Sequence, residues 1–358
     1  MAKVGYEIDF LPVGNGEKSG DAIAVRYGSP GKYKIMVVDG GTKESGKALV
    51  DHIVKHYGTT EVDYLVNTHP DGDHASGLSV VLEQLTVHEV WLHRPWEHSD
   101  EICSLFKDGR ITPNSLEQRL KDSLSAAYQL EELALKKGIP IYEPFAGTMI
   151  GKFLVLSPSE EEYLNFLPQF NKTPEAKAEK SLLEAGLEAA RAAIKWITET
   201  WTGETLSENG TTSSENESSV ILYANFDGRG CLLTGDAGLQ GLSNAADYAE
   251  SQQINLRECK FYQVPHHGSR NNVSPSILNR ILGDILQEGD EAMTGTAFAS
   301  ASEKSTTHPR KVVQNAFIRR GVSFHVTRGT GKCHNYNMPD REGWSAAIPL
   351  EFSSDVED

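Results

Sequence analysis

The fold class this sequence predicts is α/β: a four-layer αββα sandwich, two sheets packed face to face with helices on both outer surfaces. Three observations point there. Apolar runs of strand length alternate with stretches of helical spacing, as in a layered α/β domain. The alternation occurs twice, before about residue 160 and after about residue 218, giving two halves, each with its sheet inside and its helices outside. No short-period repeat suggests a solenoid instead. We read residues 1–358 as one domain, with residues 160–217 as a helical and flexible insertion within it.

In chain order, EIDFLPV and DAIAVRY alternate apolar with other residues. KIMVVDGG is a continuous apolar run ending in Asp-Gly-Gly and fits a strand buried on both faces. Lys47 to His56 follows with helical spacing at Leu49, Ile53 and Val54, and DYLVNTH and VHEVWLH are further buried strands. Asn114 to Lys137 places Leu116, Leu120, Leu124, Ala127 and Leu130 along one helix, and Gly138 can end it. IPIYEP and KFLVLSP are short strands. Thr173-Pro174-Glu175 then starts a long helix whose apolar stripe runs Leu183, Leu187, Ala190, Ile194, Ile197, Trp201. It would either lid the site or only cover a sheet face. TGETLSENGTTSSENES is polar and expected to be mobile. SVILYANFDGRGCLLTGD reads as a hairpin turning at Asp227-Gly228. KFYQVPHHGS, AMTGTAFAS and GVSFHVTRG complete the second half, with a helix from Pro309 to Arg319 between the last two.

The bulk numbers exclude some classes. No apolar run approaches the ~18–20 residues that cross a bilayer, and the N-terminus lacks a basic region followed by an apolar stretch, so no membrane partner and no secretory leader are expected. Cys103, Cys231, Cys259 and Cys333 are far apart and form no CxxC pair, which fits reduced, buried thiols and a cytoplasmic setting. The net charge of −16 argues against strong nonspecific DNA binding, which needs a basic face. It does not exclude a phosphate ester, because bound cations reverse the local charge.

The chemistry concentrates in Asn67-Thr68-His69-Pro70-Asp71-Gly72-Asp73-His74. Four potential metal ligands (His69, Asp71, Asp73, His74) fall within six residues, directly after a buried apolar strand, with Pro70 and Gly72 enforcing a loop. That puts imidazoles and carboxylates at the C-terminal end of a strand, where α/β proteins build sites. Neighbouring carboxylates repel each other, so such a cluster calls for cations. Its donors suit Zn²⁺, and the additional carboxylate shifts the balance somewhat toward Mn²⁺. Asp236 ends the apolar strand CLLTGD with Gly235 before it, so its carboxylate can project from a sheet edge and hold two cations ~3.5–4 Å apart. His266 and His267 end another apolar strand before Gly268-Ser269. Adjacent residues at a strand end point to different sides, so the two have different roles. His93, at the end of VWLH, could also face the cleft. His52, His56, His88, His98, His325 and His334 lack supporting neighbours and read as surface or core positions.

These motifs resemble a known family. HxDxDH is a variant of the HxHxDH signature of the metallo-β-lactamase superfamily, and its Asp71 form resembles the hydrolase domain of ComEC-type competence proteins. VGNGEKSGDAIAV resembles that group's N-terminal turn, with a short insertion ahead of Asp21. VVDGG, LLTGDA, VPHHGS and THPRKVV with GVSFHVTRGTG resemble further motifs in the same order. The resemblance implies a metallo-β-lactamase sandwich in which Asp39 stands behind the ligands and orients them. It implies that Asp236 bridges two ions and that His267 is the last ligand, with His266 facing substrate; the swapped assignment stays open. Most members carry a metal-binding His where this chain has Asn216-Glu217-Ser218-Ser219; the ComEC-type group also has Asn and Ser there. One ion would then take His69, Asp71 and Asp236, with Asn216 a weak oxygen ligand at best. The other would take Asp73, His74, Asp236 and His267. His308, before Pro309, would sit at the rim of the site, unless it only starts a helix.

The expected function is a two-metal hydrolase, zinc favoured over manganese, acting through a metal-bound hydroxide. Asp73 would orient the nucleophile, and His266 and His308 would stabilise developing charge. A phosphodiester substrate is expected, with nucleic acid and a small molecule on equal footing. Hydrolysis of an amide, lactam, lactone or thioester is the alternative, and a metal-binding regulatory module without turnover is a third. Oligomeric state is not legible.

Overall fold

The computed structural model describes residues 4–14, 20–171, 173–174, 196–290 and 293–357. In chain order the strands are β1 (Gly5–Phe10), β2 (Ala22–Ser29), β3 (Lys32–Gly40), β4 (Glu61–Val66), β5 (Thr86–Trp91), β6 (Ile141–Tyr142), β7 (Met149–Ile150), β8 (Phe153–Ser157), β9 (Trp196–Thr198), β10 (Ile221–Phe226), β11 (Arg229–Leu233), β12 (Cys259–Gln263), β13 (Gly295–Ala299), β14 (Val322–Val326), β15 (Lys332–Tyr336) and β16 (Asp355–Glu357). They form two seven-stranded sheets, β15-β1-β2-β3-β4-β5-β6 and β14-β13-β12-β11-β10-β8-β7, and a two-stranded ribbon β16-β9. β3 to β6 run parallel, as do β11 to β14.

Side-chain alternation builds three apolar layers. Ile8, Phe10, Ile23, Val25, Met36 and Val38 of the first sheet meet Phe153, Val155, Leu222, Leu233, Phe261 and Phe298 of the second. Ala22, Ala24, Val37 and Leu65 face outward onto helices α1 (Lys43–His52), α2 (Gly72–Gln84), α3 (Pro113–Ser123) and α4 (Ser125–Lys137). The second sheet's outer face is covered by α5 (Leu239–Ser251), α6 (Pro275–Ile281) and α7 (Lys311–Ile318). This is the αββα arrangement the sequence predicts. No helix among the described residues is long and apolar enough to cross a membrane.

Several elements differ from expectation. The first helix starts at Lys43, because Thr42 caps the Ser45 amide, and its last turn widens over Ile53–Tyr57 before Gly58 stops it at φ 68°. The helix expected over Asn114–Lys137 is two helices that break at Leu124, whose φ of −108° and ψ of 35° leave the helical region. The first of these starts in a Thr112–Ser115 capping box, and Gly138 ends the second as expected. Most of the stripe assigned to a long helix lies outside the described residues. Its end does not continue it: Ile197 lies on β9, which pairs with β16, and the Trp201 indole donates to the Leu286 carbonyl (2.8 Å).

The polar stretch after Trp201, expected to be mobile, is pinned by ion pairs and caps. Arg320 binds both Glu204 oxygens (2.8 and 2.9 Å), Glu208 accepts from Ser276 at the start of α6, and Ser213 caps a single helical turn, Ser214–Glu217. Its composition suggested solvation, but its carboxylates find buried cations and amides. The thiols divide: Cys231 and Cys259 are buried, Cys103 and Cys333 half-buried, and all four are free.

Two glycines allow close approaches around the site. A Cβ on Gly77 of α2 would stand 1.9 Å from the Gly40 carbonyl oxygen, so only glycine lets α2 lie against the end of β3. Gly235 adopts φ 51° where a Cβ would meet Thr68, which brings the Asp236 loop against the His69 loop. The Val220 amide donates to the Thr68 carbonyl (3.0 Å), a backbone link between the two halves at the same place.

Candidate metal centre

The candidate residues collect at the carboxyl ends of β3, β4, β11 and β12, where parallel strands open a crevice. Asp39 closes β3 at φ 54°, a left-handed conformation that non-glycine residues adopt at local cost and that often marks a site. It is fully buried and accepts four hydrogen bonds: Thr68 N (2.8 Å) and Asn67 Nδ2 (3.3 Å) on Oδ1, Thr68 Oγ1 (2.6 Å) and His74 Nδ1 (2.9 Å) on Oδ2.

These bonds fix two tautomers. His74 donates its Nδ1 proton to Asp39, leaving a lone pair on Nε2. The Thr68 hydroxyl gives its proton to Asp39, so it accepts from His69 Nδ1 (3.1 Å), and His69 Nε2 also carries a lone pair. Asp71 occupies the N-cap position of α2 but makes no capping bond; its carboxylate stands 3.8 Å from His69 Nε2. Asp73 is half-buried in the first turn of α2.

Everything faces Asp236. The Nε2 atoms of His74, His266, His267 and His69 stand 3.4, 3.6, 3.7 and 3.9 Å from its Oδ2. His69 Nε2, His74 Nε2 and Asp236 Oδ1 are buried with no hydrogen-bond partner. His74, Asp236 and His267 bring ligand atoms within 4.8 Å of one another, as do Asp39, His69 and His74. Lone pairs and a carboxylate aimed at one another out of water repel unless something positive lies between them, so this donor set fits a divalent cation. The charged groups respond accordingly. Burial disfavours a charged His74, but Asp236 and Asp39 raise it well above the usual imidazole range, so without a cation its Nε2 lone pair is taken up by a proton that a metal ion would displace. Burial also opposes ionisation of Asp236, yet His74, His266 and His267 hold it well below the usual carboxylate range. Burial pushes His267 down to about 4.

The His266–His267 pair needs a correction. Neither ends a strand: β12 stops at Gln263, and both residues occupy a left-handed turn at φ 45° and 57°. Strand alternation therefore does not separate them, and both rings face Asp236. Environment does separate them, since the side chain of His267 is 5% exposed and that of His266 30%. His266 Nδ1 faces Asn272 Oδ1 (3.0 Å), while Asn272 Nδ2 donates to the carbonyls of Asp236 (2.9 Å) and Ala237 (3.3 Å). The Asn216 amide lies against Thr212 Oγ1 (2.8 Å) and His266 Nδ1 (3.2 Å). His308 stacks on His266 with ring centroids 6.0 Å apart, and burial, helped by His266, His267 and Arg310, pushes it down to about 3.

His93 is not on the cleft; it is buried between Tyr163 (4.2 Å) and Phe145 (4.8 Å). The remaining histidines have local partners: His52 faces Asp9, His88 Glu61, His98 Glu101 and Glu143, His325 Ser323, and His334 Tyr6, while His56 packs on Trp344.

Sequence reasoning gave no role to two buried groups beside the site, Asp21 and Asn272. Asp21 accepts from Gln263 Nε2 (2.8 Å) and lies 4.0 Å from His74 Nδ1; burial raises it to about 7. A carboxylate directly before the apolar run Ala22–Val25 was the available signal, the same strand-end logic that exposed Asp236. Asn272 carried no signal, since the adjacent Asn271 reads identically. Among the described residues a third ligand-type group, Glu7, Asp9 and Cys333, lies within 4.8 Å, but Arg26 and Arg341 already neutralise its carboxylates.

Part of the chain matches a known family. Residues 16–103, which carry Asp39 and the His69–His74 loop, match the family model of the metallo-beta-lactamase superfamily. No curated protein sequence matches the chain. Similar solved structures include the metallo-beta-lactamase fold protein YhfI from Bacillus subtilis (8% identity, 93% of this chain and 100% of that one, TM-score 0.42). They also include unliganded yeast PDE1 (12% identity, 91% and 98%, TM-score 0.43) and a diphosphatase from the PhnP family (10% identity, 93% and 98%, TM-score 0.39). Two facing seven-stranded sheets with outer helices, together with the family match over residues 16–103, give this chain the metallo-β-lactamase fold.

Proposed function

We propose that the chain is a two-metal phosphodiesterase. The observation that carries the reading is the convergence of four imidazole Nε2 atoms, 3.4–3.9 Å away, on one Asp236 oxygen. His69, Asp71 and Asp236 would hold one ion, and Asp73, His74, Asp236 and His267 the other; the nitrogen and carboxylate donors suit zinc first and manganese second. Bound there, two divalent ions supply a nucleophile at neutral pH and neutralise a phosphoryl group.

The chain's own residues do the rest. Asp39 and Thr68 fix the rings of His74 and His69. Asp73, half-buried at the cleft, orients the attacking water and takes its proton as the new oxygen–phosphorus bond forms; the bond to the leaving oxygen breaks with its electron pair on that oxygen, which is then protonated from solvent, while Asp73 releases the proton it took. His266 and His308 face the developing negative charge. Two carboxylates and buried imidazoles around an in-line displacement favour phosphorus over an acyl centre, and the Asp71 variant shared with ComEC-type hydrolase domains supports that choice.

The test is metal analysis of purified protein, reconstitution with zinc or manganese, and assay with bis-p-nitrophenyl phosphate, nitrocefin and labelled single-stranded DNA. Metal-dependent cleavage of the first or third is expected, with Asp73→Ala and His74→Ala abolishing it while the fold persists. Full activity in those variants removes the mechanism; cleavage of nitrocefin alone replaces it with the acyl alternative. Protein that takes up metal yet cleaves none of the three points to the regulatory module.

A further inference from the structure

Beside the candidate centre, two cations lack counter-charges. Most arginines of this acidic chain lie against carboxylates: Arg26 on Glu7, Arg94 on Glu131, Arg280 on Asp247, Arg320 on Glu204, Arg341 on Asp9. Arg270 and Arg310 make no hydrogen bond or ion pair through their guanidinium groups to the described residues. Both belong to the wall formed by His266 and His308. Arg270 lies three residues beyond His267 on the same loop, so their Cα atoms are at most about 11 Å apart. Arg310 follows His308-Pro309, and its amide donates to the Gly268 carbonyl (3.0 Å). The two loops touch closely enough that a Cβ on Gly268 would stand 2.5 Å from Pro309 Cβ. Arg270 is exposed and Arg310 half-buried. Burial and the repulsion of Arg270 pull the Arg310 guanidinium below its ordinary value against the attraction of Glu357, whose carboxylate is engaged by the Lys311 amide (2.8 Å).

Two like charges held near each other, one of them partly out of water, cost free energy until an anion joins them. Guanidinium groups recognise phosphate oxygens in bidentate fashion. We propose that Arg270 and Arg310 bind a second phosphate of the substrate, next to the one that is cleaved, so that the preferred substrates carry phosphates in series. This rests on the phosphodiesterase reading and specifies its substrate class. It also accounts for how a chain of net charge −16 admits a polyanion: two cations without counter-charges stand on the wall of the centre.

The probes are thymidine 5′-monophosphate, thymidine 3′,5′-bisphosphate and fluorescein-labelled octathymidylate, titrated into the purified full chain across a salt series. Wild type binds the bisphosphate about tenfold or more tighter than the monophosphate, the gain of one added charge-assisted contact. Arg270→Gln with Arg310→Gln brings that preference within about threefold and lowers the salt slope by about 1 per arginine on whichever probe spans the wall. Arg257→Gln, which removes one charge away from that wall, leaves both unchanged. A loss of slope on the octamer alone identifies a strand as the source of the phosphates; a loss on the bisphosphate as well identifies a small molecule as sufficient. A wild type without preference, or a double variant that keeps it, overturns the proposal. Because binding is read without turnover, absence of bis-p-nitrophenyl phosphate cleavage would sink the phosphodiesterase reading separately.

Discussion

Replacing Asp39 by Asn isolates what that buried carboxylate does. The backbone tolerates the change, since Asn accepts left-handed φ values such as the 54° found here. Of the four bonds Asp39 accepts, the two on Oδ1, from Thr68 N and Asn67 Nδ2, are kept by the amide oxygen. The two on Oδ2 meet an NH₂ group instead. Thr68 can rotate its hydroxyl and accept. His74 cannot adapt so simply: an amide donor at 2.9 Å from Nδ1 demands a lone pair there and moves the imidazole proton to Nε2, the atom 3.4 Å from Asp236. The residue keeps its place and loses its donor. Groups behind metal ligands typically contribute 10–100-fold in metal affinity, so Asp39→Asn should weaken zinc binding by about 1.4–2.8 kcal/mol. Competition against a chromophoric chelator measures the affinity, and urea unfolding of the metal-free proteins verifies that the fold survives. Affinity within a factor of two of wild type, with the fold intact, would refute the tautomer argument.

Other outcomes follow from buried charge. Arg341→Met removes three ion-pair contacts of 2.7 Å, two to Asp9 and one to Glu7, and leaves both carboxylates under-compensated inside the protein. Breaking a buried pair costs about 3–5 kcal/mol, to be read from the urea midpoint; a loss below about 1 kcal/mol contradicts this account. Burial pushes His93 down to about 3 despite Glu143, whereas the unfolded chain titrates near 6.5. The unfolded state therefore binds the additional proton below pH 6.5, so the stability due to neutral His93 is complete above that value. It is lost at about 1.4 kcal/mol per pH unit as pH falls toward 3. His93→Phe, which keeps a ring between Tyr163 and Phe145, should flatten the fall in stability between pH 6 and 5; equal slopes would show that His93 is not its source.

How much of this was legible depended on whether a feature is local. The convergence of His69 and His74 with Asp236 was legible because candidate ligands share one turn after a buried strand and an apolar run ends on Asp236. The His266–His267 turn could not be read so: Pro265 and Gly268 bracket a left-handed bend that no alternation rule anticipates. Leu124 breaks a helix whose apolar spacing is continuous, which is a matter of packing rather than propensity. Glu7 and Asp9 read as the polar side of an alternating strand, yet Arg341, more than 300 residues away, encloses them. Asn272 matters only through atoms of Asp236, Ala237 and His266 that folding brings to it.

The contact of Val220 N with the Thr68 carbonyl has a thermodynamic corollary. Thr68 and its neighbour His69 follow β4 of one sheet, and Val220 leads into β10 of the other, whose neighbour β11 runs to Asp236. A cation shared by His69, His74, Asp236 and His267 would rivet the same seam that this amide stitches. Melting temperature should then climb with free zinc by mass action, and a chelator should loosen the two slabs from each other before either one melts.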